Sequence, residues 1–242
     1  MVPDGLQAIL MIVTILFGVA ILLRLLGKTS VDWRWLAIAA ALVVINDALL
    51  SGGGLYGRIS NLLPPSDWNW QGKALAIACT LGVASLPAFG WARCGLTLMQ
   101  APGSLRAIAP AALAYLLFFL SIAIAFPGAA ATTETIAFQL TMPSLEEEAF
   151  YRGLLLVTLY RAFPDQLRAV GVHWSPGAAL SCLLFGLAHA FSVTDGSPSI
   201  NMLYFLLTAL PSLLAVWIAL RTGSIAIPVF LHSAGNALPL LL

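Results

Sequence analysis

Charge is what this chain lacks. Only 9% of its 242 residues are Asp, Glu, Lys or Arg, against about 25% in soluble domains. With 60% hydrophobic residues, a water-soluble fold would have too little polar surface to cover itself. Eleven basic and ten acidic side chains leave a net charge of +1, which removes any bulk attraction to nucleic acid. Cysteine is scarce too. Cys79, Cys94 and Cys182 stand apart, within or beside apolar runs. They lack metal-knuckle or redox-pair spacing and read as small buried apolar residues. There is no H-E-x-x-H, the pair that puts two zinc ligands one helical turn apart. The first apolar run has no basic leader and no small-residue cleavage site, so it reads as a retained span and not a signal peptide.

What is abundant is long apolar sequence. A crossing helix needs about 20 mostly apolar residues. Eight candidates run roughly Leu6–Leu26, Trp33–Leu50, Ala74–Ala92, Ala107–Phe126, Thr135–Tyr160, Pro176–Phe191, Asn201–Leu220 and Ser224–Leu241. The expected fold is all-α: one polytopic membrane domain over residues 1–242 with about eight transmembrane helices. Gly52-Gly53-Gly54 and Pro64-Pro65 mark a loop along the interface. Trp68 and Trp70 there suit an aromatic belt.

Lys and Arg accumulate on the cytoplasmic side of membrane proteins. With eight spans, one side collects Arg24, Lys28, Arg34, Arg93, Arg106, Arg161, Arg168 and Arg221. The other collects Arg58 and Lys73, and Arg152 is intramembrane. This asymmetry puts both termini outside the cytoplasm of a multi-pass protein, with a bacterial plasma membrane as the expected setting.

Ionisable groups within spans are costly and usually have a function. The fifth span carries Ser144-Leu-Glu-Glu-Glu-Ala-Phe-Tyr-Arg152. At α-helical spacing Glu148 and Arg152 are one turn apart, in the favourable acid-before-base order, and read as an internal ion pair. Glu147 has Tyr151, not a cation, at i+4. A buried carboxylate without a counter-charge suits a general base. Glu146 is expected nearer the helix entrance. The sixth span ends Phe185-Gly-Leu-Ala-His189 and the eighth holds His232-Ser-Ala-Gly-Asn236. Gly186 removes bulk beside His189, and the small residues 233–235 permit close helix approach. His232 and Asn236 share a face and offer N–H donors to a developing oxyanion. Taken singly, each group has a structural reading as a pin or a hydrogen-bonded core residue. Their co-occurrence in three of the last four spans carries the functional one. Asn46 and Asp47 read as a helix-end group, and His173 as an interfacial residue.

In order and spacing, Glu147-Glu148-x-x-x-Arg152, Phe185-x-x-x-His189 and His232-x-x-x-Asn236 resemble the three motifs of the CAAX-protease and bacteriocin-processing family. These Abi-type intramembrane proteases include the CAAX prenyl endopeptidases. The resemblance covers about residues 135–242, the expected catalytic half. It implies hydrolysis of a peptide bond in a protein or peptide substrate. Glu147 and His189 would activate water, His232 and Asn236 would hold the oxyanion, and Glu148 and Arg152 would support the site. No cofactor is expected, since the Glu147/His189 pair needs no metal. The alternative is zinc on Glu147, His189 and His232, a three-ligand set of the catalytic type.

At 1.5 Å per residue, Glu147 and Asn236 lie about 20 and 18 Å from the cytoplasmic edge. That places the site in the outer half of the bilayer. Exported peptides or membrane-anchored C-terminal tails then suit it better than prenylated cytosolic proteins. Two other classes compete: a proton-coupled transporter, and a non-catalytic scaffold or immunity protein. Against the first, no inverted repeat is evident. Against the second, all three motifs are complete.

Overall fold

The computed structural model describes residues 3–60, 62, 66–128 and 130–242. Pro64-Pro65 of the expected interface loop lies outside them. The described chain is mostly helical, running α1 (Asp4–Leu25), α2 (Trp33–Leu50), α3 (Trp70–Ala84), α4 (Ser104–Ala125) and α5 (Thr133–Glu147). A π-helical segment (Glu148–Leu155) then passes without a break into α6 (Leu156–Ala162), followed by α7 (Pro176–Ala190), α8 (Met202–Thr222) and α9 (Ala226–Leu241).

Polar caps at the chain's few hydrophilic positions set the helix starts. Asp32 accepts from the Arg34 and Trp35 amides to begin α2. Asn69 caps α3, Thr132 α5 and Asn201 α8. Ser175 with Pro176 opens α7, an N-cap followed by the residue that needs no amide partner. Gly223, at φ 70°, ends α8 in the left-handed conformation that glycine adopts without steric cost.

α1, α2, α4 and α8 are each long and apolar enough to cross a membrane. Leu22, Leu113, Leu117, Ile124, Leu203 and Leu210 are exposed, as lipid-facing side chains should be. The buried core joins Leu16 of α1, Leu36 of α2, Phe150, Leu154 and Leu155 of the π segment, Leu159 of α6 and Leu184 of α7. The fifth apolar run is thus the central helix of the bundle.

The expected third span needs correction. α3 stops at Ala84, and residues 85–96 form turns in which Gly90 and Gly95 take positive φ. Ser85, Pro87 and these glycines break a run that is apolar in composition only. α3 also starts earlier than expected, which carries Lys73 into its first turn. The fold is not wholly α-helical either. Two antiparallel hairpins, β1–β2 (Leu167–Ala169 with Val172–Trp174) and β3–β4 (Phe191–Thr194 with Ser197–Ile200), flank α7. Their two-residue turns, Val170-Gly171 and Asp195-Gly196, have positive φ throughout, the geometry that matches strand twist. Asp-Gly was a readable hairpin signal; the valine turn was not. His173 is exposed on β2, consistent with an interfacial position.

Trp68 and Trp70 do not simply face lipid. Trp68 stacks on Phe138 at 4.9 Å and Trp70 meets the same ring edge-on at 5.1 Å. Their indole N–H groups donate to Thr135 and Glu134. The pair clamps the approach to α3 against the start of α5, which places Lys73 beside the glutamates.

Candidate active site

The helix that carries the three glutamates is irregular where they sit. Pro143 removes a backbone donor four residues before Glu147, and the π-helical turns begin at Glu148. Such turns are rare and frequent at functional sites. The strict α-helical spacing assumed for Glu148 and Arg152 therefore does not apply. Even so, Arg152 Nε lies 3.2 Å from Glu148 Oε2, a contact made outside hydrogen-bonding alignment, since neither atom has a hydrogen-bond partner.

Glu146 is not at the helix entrance. It is fully buried, accepting from Asn46 Nδ2 at 3.1 Å and Lys73 Nζ at 2.6 Å. Asn46 is therefore a partner of the glutamate cluster and not a helix-end group. Its neighbour Asp47 does serve the helix end, accepting from the Tyr56 hydroxyl.

Glu147 is not without a cation. Lys73 Nζ reaches its Oε1 at 2.8 Å. Sequence reasoning missed this residue because Lys73 sits at the edge of an apolar run and reads as a loop charge. The clue was Asn69-Trp-Gln-Gly, an N-cap one turn ahead of it. The basic tally on the expected outer side falls accordingly to Arg58.

Glu147 Oε2 faces the other way and has no hydrogen-bond partner. His189 Nε2 lies 3.5 Å from it and His232 Nε2 3.7 Å. The other nitrogens of the two rings fix their tautomers. His189 Nδ1 is 2.8 Å from the Phe185 carbonyl, and a carbonyl only accepts. Nδ1 is thus the protonated nitrogen, and Nε2 of the neutral ring carries a lone pair. His232 Nδ1 likewise donates to Glu148 Oε1 at 2.8 Å. Glu148 therefore serves two partners, Arg152 and His232, where the sequence pointed only to the first.

Phe185, one turn before His189, is the platform of the site. The Arg152 guanidinium lies 4.1 Å over its ring, and the His189 and His232 rings lie 4.5 and 6.2 Å away. Gly186 has a different role from the one expected. A Cβ there would meet Ala209 and Phe205 at 2.8–2.9 Å, so the glycine admits α8 and does not clear space for the histidine. On α9, Gly235 lies against the Phe119 ring and Ser233 Oγ bonds Ser144 Oγ at 2.6 Å. Both draw α9 onto α4 and α5, the close approach the small residues predicted.

The result is one cavity of about 370 Å³ whose wall includes Lys73, Glu147, Arg152, His189, His232 and Asn236. Asn236 makes no side-chain hydrogen bond among the described residues, so its amide is available to a ligand. All six residues singled out from the sequence meet here: five line the cavity, and Glu148 stands behind His232.

With both histidines neutral, Glu146, Glu147 and Glu148 outnumber Lys73 and Arg152 by one charge. A low-dielectric site favours neutrality, so the cluster has a place for one further proton. A metal fits less well. The 3.5 and 3.7 Å separations are near the edge of a zinc tetrahedron, about 3.4 Å for 2.0–2.1 Å bonds. However, an ammonium 2.8 Å from the carboxylate that would be the ligand opposes a dication. No group of three His, Cys, Asp or Glu suited to a metal occurs among the described residues.

No curated protein and no solved structure matches the chain. Residues 111–238 match the family described as type II CAAX prenyl endopeptidase Rce1-like. The matched stretch begins inside α4, which supplies Tyr115 and Phe119 to the cavity wall, and it spans all three motifs. Asn46 and Lys73 lie upstream of it. Because the match takes in more than half of the chain, running from within α4 into α9, this integral membrane protein belongs to the Rce1-like family of CAAX-type intramembrane endopeptidases.

Proposed function

We propose that the protein hydrolyses a peptide bond in a membrane-associated or exported tail, without a metal, at the cavity shared by Glu147, His189, His232 and Asn236. The observation that carries this reading is Glu147 Oε2. It is an unpartnered carboxylate oxygen with two imidazole Nε2 atoms at 3.5 and 3.7 Å.

Lys73 occupies Oε1 and so leaves Oε2 as the one oxygen able to act. Water beside it meets two acceptors, Oε2 and the lone pair of His189 Nε2. Glu147 Oε2, assisted by His189 Nε2, takes the water's proton and so generates the nucleophile, which attacks the scissile carbonyl. The cluster's extra proton is placed on His232, whose Nδ1–H already points at Glu148. Three carboxylates then face three cations, and His232 gains an Nε2–H directed into the cavity. That N–H and the Asn236 amide stabilise the tetrahedral oxyanion. The proton taken from water passes to the departing amine, and the peptide C–N bond breaks. Glu148 orients and charges His232 much as a buried aspartate does for a triad histidine.

The eight helical runs, counting α5, the π segment and α6 as one, are read as eight crossings. The basic ends of α1, α6 and α8 then face the cytoplasm of a bacterial plasma membrane. Both termini lie outside, and the cavity lies in the outer half of the bilayer. Substrates are then exported or anchored tails. The test is cleavage of membrane-protein tails by purified protein in liposomes, with tails profiled by mass spectrometry in cells carrying the wild type or Glu147→Gln. Tail cleavage by purified Glu147→Gln protein would refute the assignment.

A further inference from the structure

A second cavity, about 420 Å³, opens at the end of the bundle where α6 and α8 finish. Its wall holds three guanidiniums, Arg93, Arg152 and Arg161, and no carboxylate. Leu156, Val157, Leu220 and Ile225 supply apolar wall beside them. The volume falls in the range of pockets that enclose small ligands.

Arg93 and Arg161 have no carboxylate partner among the described residues, while Arg152 is paired with Glu148 at 3.2 Å. Arg161 lies over the Trp35 ring at 4.3 Å, a contact that orients a guanidinium without cancelling its charge. Arg93 Nη2 donates to the Pro87 carbonyl at 2.5 Å. Arg152 is 4% exposed, and its Nη1 has no hydrogen-bond partner. Unlike the first cavity, this one is lined by charged side chains of one sign only, and two of the three have no carboxylate partner among the described residues.

We propose that this cavity is an anion site for a phosphate group, taken either from the headgroup of an anionic phospholipid or from free phosphate. Guanidiniums match phosphate oxygens in paired hydrogen bonds. Basic pockets between membrane helices hold anionic headgroups in this way. The apolar wall favours the headgroup, because it can cover the glycerol and the first acyl carbons. The site is independent of the peptidase reading. Arg152 lines both cavities.

The test uses the full chain in detergent. Native mass spectrometry follows retention of added phosphatidylglycerol against phosphatidylcholine, and melting temperature is followed with and without inorganic phosphate. Selective retention of phosphatidylglycerol, lost in Arg93→Gln/Arg161→Gln, establishes the headgroup as source. A melting-temperature rise with inorganic phosphate alone, lost in the same variant, establishes free phosphate. Leu220→Trp fills the cavity with all three guanidiniums in place and should lose binding likewise, which keeps the test open if the double variant does not fold. Equal retention of both lipids with no phosphate response, or binding unchanged in the variants, overturns the proposal.

Discussion

α1–α4 and the stretch from α5 to α9 differ in what they contribute to the glutamate cluster. The later helices bring three carboxylates, a guanidinium, two imidazoles and a carboxamide. The earlier ones bring one carboxamide and one ammonium, Asn46 and Lys73. Those two groups bond Glu146 and Glu147 directly. The family match covers the half that carries the three sequence motifs, while the ammonium that pairs with Glu147 comes from the half outside it. The motif residues and the groups that bond them are thus drawn from separate parts of one chain.

The largest effect expected is on the reacting half. Glu147→Gln keeps the shape but removes the base, and should lower turnover by about 10²–10⁴-fold with the melting temperature little changed. Turnover measured on purified protein checks it, and equal loss of fold and activity would erase the contrast. Lys73→Met strikes the supporting half. It leaves two buried carboxylates without their cation, and breaking a buried pair this way costs about 3–5 kcal/mol. A large fall in melting temperature, partly restored by Lys73→Arg, is expected. A silent Lys73→Met would reduce α1–α4 to a lipid-facing scaffold.

The two carboxamides sharpen the same contrast. Asn236→Ala should lower kcat by about 10²–10³ with KM nearly unchanged, as for loss of an oxyanion donor. Asn46→Ala should instead lower stability by about 1.5–3 kcal/mol, the range for a hydrogen bond to a charged group. Kinetics and thermal melts on both variants separate them.

The smallest effect is at the bundle end. Exposed Asp165 accepts from the Ser30 amide at 2.6 Å and from the Ser30 and Thr29 hydroxyls. The amide bond first, then the hydroxyls, hold its carboxyl below the ordinary value. A lowered carboxyl stabilises the fold above its unfolded value, near 4, and loses that contribution as pH falls through the lower folded value. Asp165→Asn should therefore flatten the acid limb of melting temperature against pH slightly and leave activity unchanged.

The extent of most helices was legible because apolar run length and polar caps are local signals. α2 begins and ends where its apolar run does. The third run misled because mean hydropathy does not register a turn: Ala74–Ala92 is apolar on average, yet Ser85, Pro87 and Gly90 end the helix at Ala84. The site was legible through its spacings, which placed Glu147, His189 and the His232/Asn236 pair on three separate helices. Lys73 was not, because a lysine at a helix start looks the same whether it faces headgroups or folds inward. Glu148's bond to His232 was likewise hidden, since the two are 84 residues apart.

By itself, then, the sequence determined that this chain lives in lipid, where most of its helices lie and which ionisable side chains they carry, because hydropathy, caps and motif spacing act over a few residues. Only the tertiary structure decided which charges neutralise one another, which partner each histidine's Nδ1 meets and which oxygen of Glu147 stays free. Those depend on distances of 2.6–3.7 Å between helices remote in the chain, and in a low-dielectric interior such distances set the energy of every charge.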